Sequence, residues 1–264
     1  MPQPDPMRLR ETFDEAAELY DRARPGYPAA LFSDLAQLAC TGAGCRVLEI
    51  GCGTGQATLP LAERGCEIVC VELGASLAAV ARRKLARFGS VRVEVAAFEA
   101  WPLPPEPFDT VLAATAFHWL DPAIRLTKAA QALRRGGALA TIATHHIAGG
   151  DAAFFAEAQA CYERWDPATP PGLRLPRADE IPFDSQDLDG SGRFGPATFR
   201  RYEWELAYSS AQYLDTLLTY SGHRALAPEA RRGLLACIAD LIDSGHGGHI
   251  RKRYLSELRV TYRT

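Results

Sequence analysis

From residue 46 onward, short apolar runs and amphipathic stretches alternate along the chain. Val47-Leu48-Glu49-Ile50 is largely apolar and ends in glycines, which predicts a buried parallel strand. Gln56 to Glu63 has helical spacing. Glu67-Ile68-Val69-Cys70-Val71 predicts a second strand, and Ala75 to Phe88 a second helix with a basic face at Arg82, Arg83, Lys84 and Arg87. Val91-Arg92-Val93-Glu94-Val95 alternates and predicts the third strand. Phe108 to Ala114 predicts the fourth, Pro122 to Leu133 a helix, and Ala138 to Thr144 the fifth strand, with Gly136-Gly137 as the turn between them. Strand and helix alternating at this spacing predict right-handed βαβ crossovers and a parallel sheet.

The flanks read differently. Leu9 to Arg24 is helical, with Phe13, Ala16, Ala17 and Tyr20 on one face, and Pro25-Gly26-Tyr27-Pro28 stops it. A further helix is expected from Ala29 to Ala39, and the proline-rich residues 1–7 are expected to fray. After His146, Phe154 to Trp165 predicts a helix, whereas residues 166–197 are rich in Pro, Gly and Asp and show no period. An irregular stretch of that length is usually a functional lid or an insertion. Thr198 to Ala207 predicts a strand, Ala211 to Tyr220 and Pro228 to Asp243 helices, and His249 to Tyr262 a long final strand. Arg251-Lys252-Arg253 within it reads as a solvated strand face.

The strongest local signal is the strand that runs into Gly51-x-Gly53-x-Gly55 with a helix following at once. Glycines there permit positive φ and close approach to bare backbone. A helix N-terminus adds N–H groups and partial positive charge, which suits an anion. The dinucleotide fingerprint GxGxxG has its third glycine one position later, where this chain has Gln56. Glu49, just before the loop, would repel a pyrophosphate but attract an ammonium. S-adenosylmethionine (SAM) carries both an ammonium and a carboxylate and fits better. Glu72 ends the second strand, at the sheet position where an acidic side chain accepts hydrogen bonds from both ribose hydroxyls.

Composition narrows the classes. The chain has 264 residues, 47 % of them hydrophobic, and a formal net charge of −3. That is enough for one large α/β domain or two small ones and offers no basic excess for a phosphate backbone, so no nucleic-acid partner is expected. The cysteine count, 7, is odd and contains no CxxC pair. Free thiols in a reducing cytoplasm are therefore expected, with neither a disulfide framework nor a zinc site. Met1-Pro2-Gln3-Pro4-Asp5-Pro6 lacks an apolar signal core, and no apolar run is long enough to span a bilayer, so a cytoplasmic, non-membrane protein is expected.

Val47-Leu48-Glu49-Ile50-Gly51-Cys52-Gly53-Thr54-Gly55 resembles motif I of the class I SAM-dependent methyltransferases. The surrounding chain is similar to their small-molecule branch, methyltransferase type 11. Tyr20 to Pro28 resembles the segment that caps the cofactor, Phe108 to Ala114 resembles motif IV, and Leu133-Arg134-Arg135-Gly136-Gly137 resembles the turn before strand five. The resemblance covers about residues 10–145. It implies a Rossmann-like, mostly parallel seven-stranded sheet with helices on both faces, an antiparallel C-terminal strand and an inserted lid after strand five. Residues 1–264 then form a single domain: a helical cap at 1–40, a SAM-binding core at 41–146, a substrate lid at 147–197, and closing strands and helices at 198–264. One departure is evident. Where many members have Gly-Asp-Ala after strand three, this chain has Ala96-Ala97-Phe98-Glu99-Ala100-Trp101. The adenine edge is then expected at the Phe98 backbone with Glu99 nearby.

The expected cofactor residues are Tyr20, Arg24, Glu49, Gly51, Gly53, Gln56, Glu72, Leu73, Phe98, Glu99 and Thr115, with S-adenosylhomocysteine as product. His118 after strand four and His146 after strand five are the candidates for a base or a substrate-orienting hydrogen bond; a structural role beside Trp119 is the alternative for His118. Trp165, Tyr162, Arg174, Arg177 and Phe183 are candidates for a pocket taking an acidic or aromatic small molecule. His246 and His249 lack metal-ligand company, so no metal is expected. Two other readings compete: an NAD-dependent oxidoreductase, disfavoured by the glycine spacing and by the lack of a Tyr-x-x-x-Lys dyad, and a non-catalytic SAM-binding protein. Neither the acceptor nor the oligomeric state follows from the sequence.

Overall fold

A computed structural model of the protein describes residues 14–264. The proline-rich start and Phe13 lie outside the described residues. The elements are, in chain order, α1 (Ala17–Ala23), α2 (Ala29–Leu38), β1 (Arg46–Ile50), α3 (Thr58–Glu63), β2 (Glu67–Glu72), α4 (Ala75–Leu85), β3 (Val91–Val95) and β4 (Phe108–Ala114). There follow α5 (Arg125–Ala132), β5 (Leu133–Gly150), α6 (Ala152–Trp165), α7 (Gln186–Asp189), β6 (Thr198–Ser209), α8 (Ser210–Leu217), α9 (Ser221–Ala225), α10 (Pro228–Asp240) and β7 (His249–Tyr262). The sheet has seven strands in the order β3-β2-β1-β4-β5-β7-β6. β1 to β5 pair in parallel, with Val47 opposite Ile68 on one side and Thr110 on the other. β7 runs antiparallel to β5, since Gly136 N–H donates to Arg263 O and Arg263 N–H to Gly137 O.

The chain divides into two compact units. One comprises Gly26–Thr144, Phe183–Tyr202 and Ser256–Thr264; the other comprises the chain up to Pro25, His145–Pro182 and Glu203–Leu255. In the first, the period of two along each strand sends alternate side chains to opposite faces. Val47, Ile68, Cys70 and Val93 join Leu31, Leu35 and Leu61 from α2 and α3 in one core. Leu48, Ile50, Val69 and Val71 join Leu126 and Ala129 from α5 in the other. Each fully buried leucine contributes roughly 1.5–3 kcal/mol relative to exposure. In the second unit, Phe154 and Ala158 of α6 pack with Tyr213, Leu217, Leu234, Ile238 and Tyr254. Within that unit Gly233 admits the Trp165 ring, whose atoms lie 2.5 Å from where a Cβ would stand.

Several boundaries differ from the sequence expectation. β5 begins five residues before Ala138 and runs six past Thr144. Gly136 and Gly137 are therefore within a strand and not in a turn. Gly136 takes φ +69° at an irregularity in the β4–β5 register, and a Cβ on Gly137 would stand 2.9 Å from Arg134 O and 3.0 Å from Asp109 O. The helix expected from Pro122 starts at Arg125, and the one expected from Gln56 starts at Thr58. The expectation of free thiols throughout is also corrected. Cys40–Cys45 and Cys161–Cys237 are disulfides, and Cys52, Cys66 and Cys70 are free and buried. Five and 76 residues separate the two pairs along the chain, so spacing alone did not mark the second. The Cys40 and Cys45 sulfurs lie within 4.8 Å of an Asp109 oxygen. Because they are bonded to each other, they are not thiolates available to a metal. Among the described residues no helix is long and apolar enough to cross a membrane.

Candidate functional site

The glycine loop is shaped from within. Gly51, Gly53 and Gly55 all take positive φ, at +68°, +56° and +86°. Their N–H groups are already engaged: Gly51 donates to Val71 O at 2.8 Å, Gly53 to Glu72 Oε2 at 2.8 Å, and Gly55 to Cys52 O at 2.9 Å. These three amides therefore hold the loop's own conformation and are not a free anion cradle. Gly51 has a second constraint, because a Cβ there would stand 2.7 Å from the Ala116 Cβ. Gln56, which replaces the later glycine of the dinucleotide pattern, donates from Nε2 to Thr54 Oγ1 at 2.7 Å.

Glu49 is the most unusual group in the loop. It lies on the same strand face as Val47 and is 1 % exposed, and neither carboxyl oxygen has a hydrogen-bond partner among the described residues. Burial raises its pKa from the usual 4.5 to about 7; Thr58 offsets part of that, and the Glu72 charge adds to it. A buried carboxylate without partners is costly, so its retention suits a cationic ligand group. Glu72 is buried too. Its oxygens accept from the Gly53 and Gly74 N–H groups at 2.8 and 2.9 Å. A carboxylate offers about four lone-pair sites, so it retains capacity for hydroxyl donors while fixing the loop. A zwitterionic amino acid joined to a ribose, as in SAM, fits these two acids.

Around the loop, β4 is followed by Thr115, the one non-glycine among the described residues with positive φ, at +55°. Its hydroxyl bonds the Tyr27 hydroxyl at 2.7 Å and its N–H donates to Ile142 O at 2.7 Å. Non-glycine residues held in the left-handed region cluster at functional sites. Tyr27, read from the sequence as part of a helix stop and of the segment resembling a cofactor cap, is thus bonded to that strained residue. Phe98 is buried, with Lys128 Nζ 5.3 Å from its ring centre. Glu99 Oε1 accepts from Asp121 N–H at 3.2 Å, and Lys128 donates to Glu99 O at 2.9 Å. Burial lowers the Lys128 pKa, although the Glu99 charge opposes this. Leu73 follows Glu72 and is half-buried. Asp109, from the motif IV resemblance, ties strands together: Arg46 N–H donates to it at 2.9 Å and Arg134 Nε at 2.6 Å. Partial burial works against its ionised form, but these bonds hold its carboxyl below the usual range.

His118 lies in the same unit, on a short 3₁₀ turn from Phe117 to Trp119. It is exposed, its ring 4.8 Å from that of Trp119. Tyr20, Arg24 and His146 belong to the other unit. There the Arg24 guanidinium lies 4.5 Å from the Tyr220 ring centre and 5.4 Å from that of Tyr20, and donates to Thr219 Oγ1 at 3.4 Å. His146 packs 5.1 Å from Tyr220 and 5.5 Å from Tyr254. Burial drives its pKa down to about 3, and the positive charges of Lys252 and Arg24 add to this.

The five aromatic and arginine candidates of the irregular stretch do not converge. Tyr162 and Arg174 line a cavity in the second unit. Arg177 pairs with Asp179 at the surface, and Trp165 packs on Gly233. Phe183 belongs to the first unit, where the Arg201 guanidinium covers its ring at 3.6 Å. The reading of Arg251-Lys252-Arg253 as a solvated face is corrected: Lys252 is 5 % exposed, between buried Ile250 and Tyr254. Residues 250, 252 and 254 share one face of β7, so strand alternation was the signal that marked Lys252 as inward.

Residues 47–137 match the family described as "Methyltransferase domain". An uncharacterized methyltransferase of Mycobacterium tuberculosis is 35 % identical over 131 residues, covering 50 % of this chain and 51 % of that protein. One from Geobacillus kaustophilus is 35 % identical over 136 residues, covering 48 % of this chain and 62 % of that protein. The chain thus spans about half the length of the curated relatives it matches first. Among solved structures, a protein assigned as a type II methyltransferase from Anaeromyxobacter dehalogenans superposes with a TM-score of 0.58 at 25 % identity, covering 90 % of this chain and 97 % of that one. The YcgJ protein from Bacillus subtilis shares the fold, with a TM-score of 0.52 at 16 % identity over 89 % of this chain and 98 % of that one. Parallel order, glycine loop, paired acids and sequence match agree: residues 47–137 of this chain match a methyltransferase domain.

Proposed function

We propose that the protein transfers the methyl group of SAM to an O, N or C atom of a small-molecule metabolite and releases S-adenosylhomocysteine. The observation that carries this reading is Glu49, a fully buried carboxylate near the end of β1 whose oxygens have no hydrogen-bond partner among the described residues. It supplies the one charge that an ammonium requires and a pyrophosphate excludes. When bound, the sulfonium donor brings an already activated methyl group, so the chain's task is to bind, orient and exclude water.

In this reading Glu49 would hold the ammonium and Glu72 the ribose hydroxyls. Gly51, Gly53 and Gln56 would form the surface against the methionine part, with Leu73 packing against the nucleoside. The Phe98 backbone and Glu99 would meet the adenine edge, and Thr115 would present its strained backbone beside the loop. His118, exposed after β4, is the candidate to take a proton from the acceptor. His146, held neutral by burial, is suited to orienting a donor and poorly suited to accepting a full proton. Residues 1–40 as cap, 41–146 as cofactor core, 147–197 as lid and 198–264 as closing elements of one domain belong to the same proposal, as does a cytoplasmic setting without nucleic-acid or membrane partners. Calorimetry with SAM, S-adenosylhomocysteine and NAD tests it. Binding of both adenosyl ligands and none of NAD is expected; NAD binding without a response to S-adenosylhomocysteine would overturn it.

A further inference from the structure

Within the unit formed by the chain up to Pro25, His145–Pro182 and Glu203–Leu255 lies a cavity of about 450 Å³. That is the size of a metabolite pocket, commonly about 300–1,000 Å³. Four aromatic rings, Phe155, Tyr162, Tyr213 and Tyr220, are among the lining residues. Lys252 lines it as well. Its side chain is 5 % exposed, and among the described residues it makes neither an ion pair nor a hydrogen bond. Its Nζ lies over three aromatic rings: Phe155 at 4.5 Å, Tyr254 at 5.7 Å and Tyr213 at 6.0 Å.

Positive charge outnumbers negative at the cavity. Asp166 is the one carboxylate in the lining, its oxygens accepting from Ala168 N–H and from Thr169 Oγ1, both at 3.0 Å, and it stands against two cations. Arg174 adds positive charge. His146 and His223 are held neutral by burial, with pKa values of about 3 and about 4, and His223 Nε2 is bonded to the Tyr162 hydroxyl at 3.0 Å. An ammonium removed from water and facing aromatic walls is costly unless a ligand anion completes it. Burial already draws the Lys252 pKa from 10.5 to about 8, still mostly protonated at neutral pH.

We propose that this cavity binds a small aromatic carboxylate, its anion held by Lys252 and its ring lying against Phe155, Tyr213 and Tyr220. Calling that ligand the methyl acceptor rests on the methyltransferase reading above; its binding does not.

The test is titration calorimetry on the full chain with 2-naphthoate and its neutral isostere 2-naphthamide. The wild type should bind the acid at least about tenfold more tightly than the amide, the range expected of one charge-assisted hydrogen bond. Lys252→Met keeps the side-chain volume and should abolish that preference while leaving S-adenosylhomocysteine affinity unchanged. The acid–amide comparison in the wild type needs no variant, so it stands even if Lys252→Met does not fold. Equal binding of acid and amide by the wild type, no binding of the acid at about 1 mM, or a preference that persists in Lys252→Met would overturn the proposal. Absence of S-adenosylhomocysteine binding with the acid still recognised through Lys252 would overturn the transfer reading and leave the cavity assignment intact.

Discussion

Glu49→Gln should make the ligand-free protein more stable and weaken its binding of the adenosyl ligand. The folded chain raises the Glu49 pKa from 4.5 to about 7, chiefly by burial. At 1.36 kcal/mol per decade of proton affinity, ionising it in place costs ~3 kcal/mol more than ionising it in the unfolded chain. The sign follows from linkage. The folded state holds the extra proton, so this contribution to stability is fully present below pH 4.5 and is lost as pH rises through about 7. Above pH 7 the wild type therefore carries the whole penalty, and a neutral amide of the same shape does not. For a chain of this length ~3 kcal/mol corresponds to roughly 6 °C in Tm. Scanning fluorimetry at pH 5 and pH 8 should show the variant melting that much higher at pH 8 and near the wild type at pH 5. With S-adenosylhomocysteine the variant's advantage should shrink by about 1.4–2.7 kcal/mol, because losing one charge-assisted contact weakens binding by about 10- to 100-fold. A variant no more stable than the wild type at pH 8, or one that binds S-adenosylhomocysteine undiminished, would refute the assignment of Glu49 as an uncompensated anion awaiting an ammonium.

Glu72→Gln should weaken S-adenosylhomocysteine binding by about tenfold in calorimetry, since charged acceptors are replaced by one neutral acceptor and a donor; unchanged affinity would remove the ribose assignment. Gly51→Ala should destabilise the fold by about 2–4 kcal/mol in urea titration, from positive φ together with the 2.7 Å approach to Ala116. Adding Ala116→Gly should restore only the steric part, and full recovery would show that the backbone conformation carries no strain. His118→Ala should lower kcat with S-adenosylhomocysteine affinity intact, whereas an unaltered kcat would assign the histidine to packing beside Trp119. A thiol titration of the denatured, unreduced protein should count three cysteines, Cys52, Cys66 and Cys70; seven would mean that neither disulfide forms.

The sequence by itself determined the features that short-range periodicity encodes. Strands β1 to β4, the helices between them and the loop at Gly51, Gly53 and Gly55 were legible because alternation and turn chemistry act over a few residues. The acids Glu49 and Glu72 were legible because their places relative to the loop are fixed by local chain geometry. Tertiary structure decided what depends on neighbours far along the chain. The register irregularity at Gly136 and the full length of β5 follow from pairing with β4 and β7. The partner of Cys161 lies 76 residues away, and the bond from Tyr27 to the strained Thr115 joins two segments that no local pattern links. Burial had the largest effect. Strand alternation separates Lys252 from Arg251 and Arg253, yet it is the packing of α6, α8 and β7 that places its ammonium among aromatic rings. A side chain's type is a local property, but its solvation, and with it the electrostatics of a site, is set by everything packed around it.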